Sequence, residues 1–330
     1  MDITASIMYE KPKKITITDP IVYAARETGD LKLSLVIPTQ VRFGGPPNNG
    51  VARPMIIKGI DVEAIRAKER RWPPERPTER FPLVIIVPGS GFKGVHNSRQ
   101  GLWQAVSYAQ KGYVSAVIDY RGTALDDSHF PEFVQDIKEA VRFLRKNAAE
   151  YCIDPDRIAL QGSSSGGHGV AMTGFTDGDP RFDFGENLDV SSRVNAVICF
   201  FGPVDPVYLY EDRLAEGKIL RPGEAEAEVA LEAYEIYGQA YEDDPENLLN
   251  DCSVSNHIDK DGYLPALICL TGDEDRIIPM QQGIRLCRNV REAGGRAEFY
   301  RIIGANHEEC FFDETLDLID KFLKRFMTKR

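Results

Sequence analysis

From residue 82 onward the chain alternates short apolar runs with longer amphipathic stretches. Residues 82–87 (PLVIIV), 113–119 (YVSAVID), 157–161 (RIALQ), 194–200 (VNAVICF) and 264–270 (LPALICL) read as strands, with a further strand over 297–303. The nearly continuous apolar runs predict strands buried on both faces. Between them lie predicted helices. The first covers 101–111 and ends at Gly112, and the second covers 131–149 with Phe133, Ile137, Val141 and Leu144 at helical spacing. Helices over 281–293 and 308–327 follow. Strand and helix in alternation predict a mostly parallel central sheet with helices on both faces. The first eighty residues differ. Residues 14–18 and 31–37 alternate as antiparallel strands do, 44–50 is a Gly/Pro/Asn loop, and 61–71 is a short exposed helix stopped by Pro73-Pro74. The Arg-, Glu- and Pro-rich run 66–80 is expected on the surface. Residues 205–250 break the rhythm: they hold no strand, and 224–241 is a helical pattern rich in Glu and Ala. This stretch is expected to leave the core at one end of the sheet, where ligands of such sheets bind.

Composition narrows the classes. The chain has 330 residues, 42% hydrophobic and 28% charged, with a net charge of −11. These values fit a soluble globular protein, and the acidic balance opposes nucleic-acid binding. The start, Met1-Asp2-Ile3-Thr4 with Lys11, Lys13 and Lys14, does not read as a signal peptide, and no run is long enough to span a membrane. The cysteines Cys152, Cys199, Cys252, Cys269, Cys287 and Cys310 are scattered, mostly in apolar segments, as expected of buried thiols in a reducing cytoplasm. No His/Cys/Asp/Glu group has metal-ligand spacing, and the Gly-rich stretch 89–94 lacks the Lys-Ser/Thr ending of a phosphate loop. No cofactor or metal is expected. Homo-oligomer formation is left open.

One motif carries chemistry. Gly162-Ser163-Ser164-Ser165-Gly166 fits G-x-S-x-G, directly after a predicted strand and where a helix should begin. That is the setting of a nucleophile elbow. The turn strains the central residue, the glycines remove side chains that would collide with strand and helix, and the Ser164 hydroxyl is left at a helix N-terminus.

With this motif the chain resembles the α/β-hydrolase superfamily, and most of all its carboxylesterase and acetyl (xylan) esterase-like branch. The resemblance covers about residues 80–325 and rests on several stretches beside the elbow with Gly167-His168. They are Val87-Pro88-Gly89-Ser90-Gly91-Phe92, Asp119-Tyr120-Arg121, Asp136 to Asn147, Ile153-Asp154-Pro155-Asp156-Arg157-Ile158, Gly272-Asp273-Glu274-Asp275-Arg276-Ile277-Ile278-Pro279 and Gly304-Ala305-Asn306-His307. It implies an α/β-hydrolase fold with a helical lid insertion and a catalytic order of serine, acid, histidine. A serine hydroxyl needs an adjacent base, and of the five histidines His307 stands where the family base belongs. His168 and His257 read as structural, His129 as a loop residue, and His96 as a candidate for the pocket mouth. The acid is Asp275 or Asp273. The family pattern D-x-x-V-P fits Asp275 to Pro279, which leaves Asp273 to cap the loop. The oxyanion donors implied are the amides of Ser165 and, by aligning glycines with the family's H-G-G-G-W, of Ser90 and Gly91. Pro88 stands here for the family His and Ser90 for a Gly, which should change how the loop is braced. Asp119-Tyr120-Arg121 is expected to anchor loops, and 154–157 to form the turn feeding the elbow strand.

The resemblance therefore implies a serine ester hydrolase acting through an acyl-enzyme on a small-molecule ester. A short acyl group, such as acetyl on a carbohydrate, is preferred. A prolyl-oligopeptidase-like peptidase or amidase is the runner-up, and a non-catalytic hydrolase-fold binding protein is the alternative of another class. The expected layout is an N-terminal extension, 1–80, whose antiparallel strands join the sheet, and a catalytic unit, 81–330, with its lid at 205–250. Tyr208, Tyr210, Tyr234, Tyr237 and Tyr241 place rings in that insertion, either to stack on substrate or to pack it onto the core.

Overall fold

The computed structural model describes residues 15–39, 79–218, 245–307 and 311–328. The predicted loop 44–50 and the predicted helices 61–71 and 224–241 lie outside the described residues, as do Tyr234, Tyr237, Tyr241 and Cys310.

Nine strands form one sheet. In chain order they are β1 (Thr16–Ile17), β2 (Ile21–Arg26), β3 (Gly29–Ile37), β4 (Phe81–Val87), β5 (Val114–Ile118), β6 (Ile153–Ser163), β7 (Ala196–Phe200), β8 (Ala266–Gly272) and β9 (Ala297–Ile302). Their order is β1-β3-β5-β4-β6-β7-β8-β9, with β2 also on β3. From β5 to β9 every neighbouring pair is parallel. β3 joins β5 antiparallel, Leu33 opposite Ile118 and Val36 opposite Ser115. β1 pairs with residues 36–37 of β3 and β2 with residues 29–33. Both lie along the edge of β3 that β5 leaves open. Of these strands, β2 is the one the pattern did not predict. Its register slips between Val22 and Ala24, so its side chains do not keep a strict period of two.

The central strands read as unbroken apolar runs because the sheet is covered on both faces. In β4, Leu83, Ile85 and Val87 enter one core cluster, and Val84 and Ile86 enter the other. The helices in chain order are α1 (Leu102–Lys111), α2 (Thr123–Asp126), α3 (Glu132–Lys146), α4 (Ser165–Phe175), α5 (Leu209–Ala215), α6 (Pro245–Asp251), α7 (Met280–Glu292) and α8 (Phe312–Phe326). The helix α1 stops at Gly112, whose φ of 96° suits glycine alone.

α3 is less simple than its pattern. Asp136, Lys138, Glu139 and Arg142 are buried, because chain from elsewhere folds over its polar face. Lys138 donates to the Thr176 carbonyl, Arg142 to the carbonyls of Phe184 and Glu186, and the Glu186 amide to Glu139. Asp136 accepts from Arg26 Nη2 at 2.9 Å, from Arg121 Nη2 at 3.0 Å and from the Arg121 amide at 2.9 Å. The carboxylate thus ties β2 and the loop after β5 to the helix.

His168, in the first turns of α4, is fully buried between the rings of Phe92 and Phe133. Its Nε2 lies 2.8 Å from the Cys252 carbonyl and donates to it, while Nδ1 has no partner. Burial lowers its pKa from 6.5 to about 4.

Two outcomes are expected. Asp136→Ala should cost roughly 3–5 kcal/mol in urea unfolding, because it leaves two guanidinium groups buried without their shared carboxylate. For His168 the native pKa lies below the unfolded one, so its contribution is complete above pH 6.5 and is lost as pH falls toward 4. Unfolding at pH 7 and pH 5 should show wild type losing about 2 kcal/mol more than His168→Gln. Equal pH slopes would refute the assignment.

Candidate active site

The site grows from the junction of β6 and α4. Ser164 sits between them at φ 53°, ψ −126°, a conformation that L-residues avoid. The neighbouring backbones come too close for side chains. A Cβ on Gly162 would stand 2.2 Å from the Gly166 carbonyl oxygen, and one on Gly166 would stand 2.2 Å from that of Val87. The Ser164 amide is held by the Phe200 carbonyl at 3.0 Å. The strain is thus maintained by packing on both sides of the elbow.

The structure brings together the three residues singled out for the triad. His307, in the loop after β9, places Nε2 3.1 Å from Ser164 Oγ and Nδ1 2.9 Å from Asp275 Oδ2. The carboxylate partner keeps the proton on Nδ1, so Nε2 is the acceptor for the serine hydroxyl. Asp275 is fully buried, and its Oδ1 accepts the amides of Ile277 and Ile278 at 2.9 and 2.8 Å. The ring of Phe201 covers the imidazole, with centroids 4.6 Å apart. Asp273 turns away from the relay: it pairs with Arg301 and accepts the Gly304 amide at 2.7 Å, which holds its carboxyl below the usual range.

The loop after β4 differs from the expectation in one respect. Ser165 opens α4, so its amide has no intrahelical acceptor. The Ser90 amide is engaged, donating to Ser165 Oγ at 2.9 Å. Gly89 of the loop packs against the elbow, where a Cβ would lie 2.9 Å from that of Ser164. Gly91 has φ 60° and open space around it. Hydroxyl groups fix Ser90 from both sides. Tyr120 Oη donates to the Pro88 carbonyl at 2.7 Å, so its lone pairs accept from Ser90 Oγ at 3.0 Å. The phenol thus braces the loop at Pro88 and Ser90. Its neighbours serve as anchors too: Asp119 accepts the Lys32 amide, and Arg121 pairs with Asp136. Burial raises the Asp119 carboxyl to about 6.

A cavity of about 540 Å³ opens over Ser164 and His307. Its aromatic walls are Trp103, Phe200, Phe201, Phe311 and Phe312, and Gln100 and Gln104 add side-chain amides. None of these was singled out from the sequence. The available signal was position: Phe200 and Phe201 stand at the carboxyl end of a parallel strand, Phe311 and Phe312 follow His307, and Trp103 lies in the first turn of the helix after the β4 loop. Tyr208 does not line the cavity; Arg285 stacks over its ring at 4.4 Å. His96 is also outside it, paired with Asp126 at 2.8 Å. His257 packs against Phe182 and bonds the Asp251 carbonyl. Among the described residues no cluster is suited to a metal ion, and no helix is long and apolar enough to cross a membrane. The five described cysteines are buried, and none of them is disulfide-bonded.

The chain is similar to the esterase LipC of Mycobacterium tuberculosis, 28% identical over 78% of this chain and 60% of LipC. It is also similar to the probable carboxylic ester hydrolase LipM of the same organism, 26% identical over 68% of this chain and 48% of LipM. The chain thus spans about half the length of the curated relatives it matches. A solved structure described as a truncated carbohydrate esterase from gut microbiota superposes with a TM-score of 0.69 at 23% identity. It covers 97% of this chain and 99% of its own, and shows the shared α/β-hydrolase fold. The family model BD-FAE matches residues 72–290, well over half of the sequence, and on that match the chain belongs to the BD-FAE family.

Proposed function

We propose that the protein is a serine carboxylic-ester hydrolase working through an acyl-enzyme. The observation that carries this reading is the single imidazole bonded on one side to a buried carboxylate and on the other to the hydroxyl of a strained serine. Ser164 Oγ attacks the ester carbonyl as His307 Nε2 takes its proton, and Asp275 stabilises the imidazolium. The proton then passes to the departing alkoxide oxygen. Water attacks the acyl carbonyl, with His307 again as base. The oxyanion donors in this reading are the amides of Ser165, Ser90 and Gly91. For Ser90 that requires exchanging the Ser165 hydroxyl for the oxyanion, an interaction made only as charge develops.

The substrate class proposed is a short-chain acyl ester of a carbohydrate. The half-exposed Trp103, with Gln100 and Gln104 beside it, offers an aromatic surface and amides suited to a hydroxylated alcohol. The likeness to a carbohydrate esterase and to esterases supports the same reading. It includes the layout of an N-terminal extension, 1–80, and a catalytic unit, 81–330, with its insertion at 205–250.

Ser164→Ala should lower kcat on p-nitrophenyl acetate by at least about 10⁴-fold and abolish labelling by a fluorophosphonate. Undiminished hydrolysis would sink the proposal. Across p-nitrophenyl esters, kcat/KM should fall steeply from acetate to octanoate; a rise with chain length would refute the short-acyl reading. Tyr120→Phe should lower kcat about 10-fold with KM little changed, because the brace on the β4 loop acts on the transition state. A change confined to KM would contradict that role.

A further inference from the structure

The acid loop, 273–279, joins β8 to α7. The amides of Ile277 and Ile278 hold the Asp275 carboxylate within the loop, but they do not fix the loop relative to His307. The His307 loop is tied to it directly, with the Glu274 amide on the Ala305 carbonyl at 3.0 Å and the Gly304 amide on Asp273 at 2.7 Å, and a neighbouring segment adds a second set of ties. Arg213, near the end of α5, donates from Nε to the Ile277 carbonyl at 2.8 Å. Lys218 donates from Nζ to the carbonyl of Asp275 itself. Glu216 pairs with Lys218 at 3.0 Å and accepts the Gln281 amide at 2.9 Å and the Met280 amide at 3.3 Å, in the first turn of α7. Three side chains within the six residues 213–218 thus grip the acid loop at two carbonyls and its following helix at two amides.

The ion pair is poorly placed for a surface staple. The side chains of Lys218 and Glu216 are 10% and 12% exposed, so both charges carry a desolvation cost. The ammonium ends on the main chain of Asp275, whose carboxylate contacts His307. A shift of about 1 Å there would loosen the 2.9 Å bond that sets the imidazole's tautomer and aim.

We propose that Lys218, held by Glu216, is a positioning residue for Asp275, acting on ester hydrolysis only through that carboxylate. The proposal rests on the triad reading above. A double-mutant cycle with p-nitrophenyl acetate tests it. Lys218→Met should lower kcat about 10-fold or more with KM within about twofold, and Lys218→Arg should recover most of the loss. In an Asp275→Asn background, itself expected to be about 10⁴-fold slower, Lys218→Met should change kcat by less than about twofold. Wild-type kcat in Lys218→Met, or the same loss in both backgrounds, would overturn the proposal. Asp275→Asn at the wild-type rate would instead overturn the triad reading, and this proposal with it. Should Lys218→Met not fold, Glu216→Gln keeps an acceptor for the α7 amides while removing the ion pair. It should lower kcat about threefold in the wild-type background and not in Asp275→Asn; an unchanged rate would overturn the proposal.

Discussion

The structure depends on the close approach of three backbones around Ser164. Val87 of β4, Gly162 of β6 and Gly166 of α4 meet at distances that leave no room for a Cβ at either glycine. That contact holds Ser164 in its strained conformation and points its hydroxyl beyond the end of the sheet. It is possible because β4 and β6 are adjacent, parallel and buried on both faces. The fold's inner strands therefore serve the site directly. They fix two backbones closely enough that a third can be bent between them.

Around this point the polar groups work by holding main chain more than by meeting one another. Tyr120 holds the Pro88 carbonyl, Ser165 the Ser90 amide, and Lys218 the Asp275 carbonyl. His168 holds the Cys252 carbonyl. Two of these ties come from the segment between β7 and β8: Lys218 reaches the loop after β8, and Cys252 meets α4. The stretch that breaks the α/β rhythm is thus bonded to both elements bearing the proposed acid and nucleophile. Buried donors and acceptors of this kind must be matched, since an unmatched one costs about 1–3 kcal/mol. A network that matches them fixes loop positions closely.

What could be read from the sequence follows from what is local. The strands from β4 to β9 were legible because burial on both faces leaves an unbroken apolar run. The elbow was legible because glycines two residues either side of a serine, between strand and helix, answer a steric need within five residues. Asp275 and His307 were legible only through resemblance, since nothing near either residue marks it as the partner of the other. α3 shows the opposite case: its period predicted the apolar face correctly, but Asp136, Lys138, Glu139 and Arg142 are buried by chain up to 113 residues away, which periodicity cannot register.

By itself the sequence determined the strands from β4 to β9, the helices between them and the strained turn, because hydrophobic period and backbone sterics act over a few neighbouring residues. Only the tertiary structure decided what surrounds Ser164. It brought His307 to Ser164 and Asp275 to His307, and walled the cavity with Trp103, Phe200, Phe201, Phe311 and Phe312. It also turned the Ser90 amide toward Ser165 and set Lys218 on the acid loop. These are contacts between loops at the carboxyl ends of separate strands. Strand order and register set their distances, and neither is written in the local pattern of any one segment.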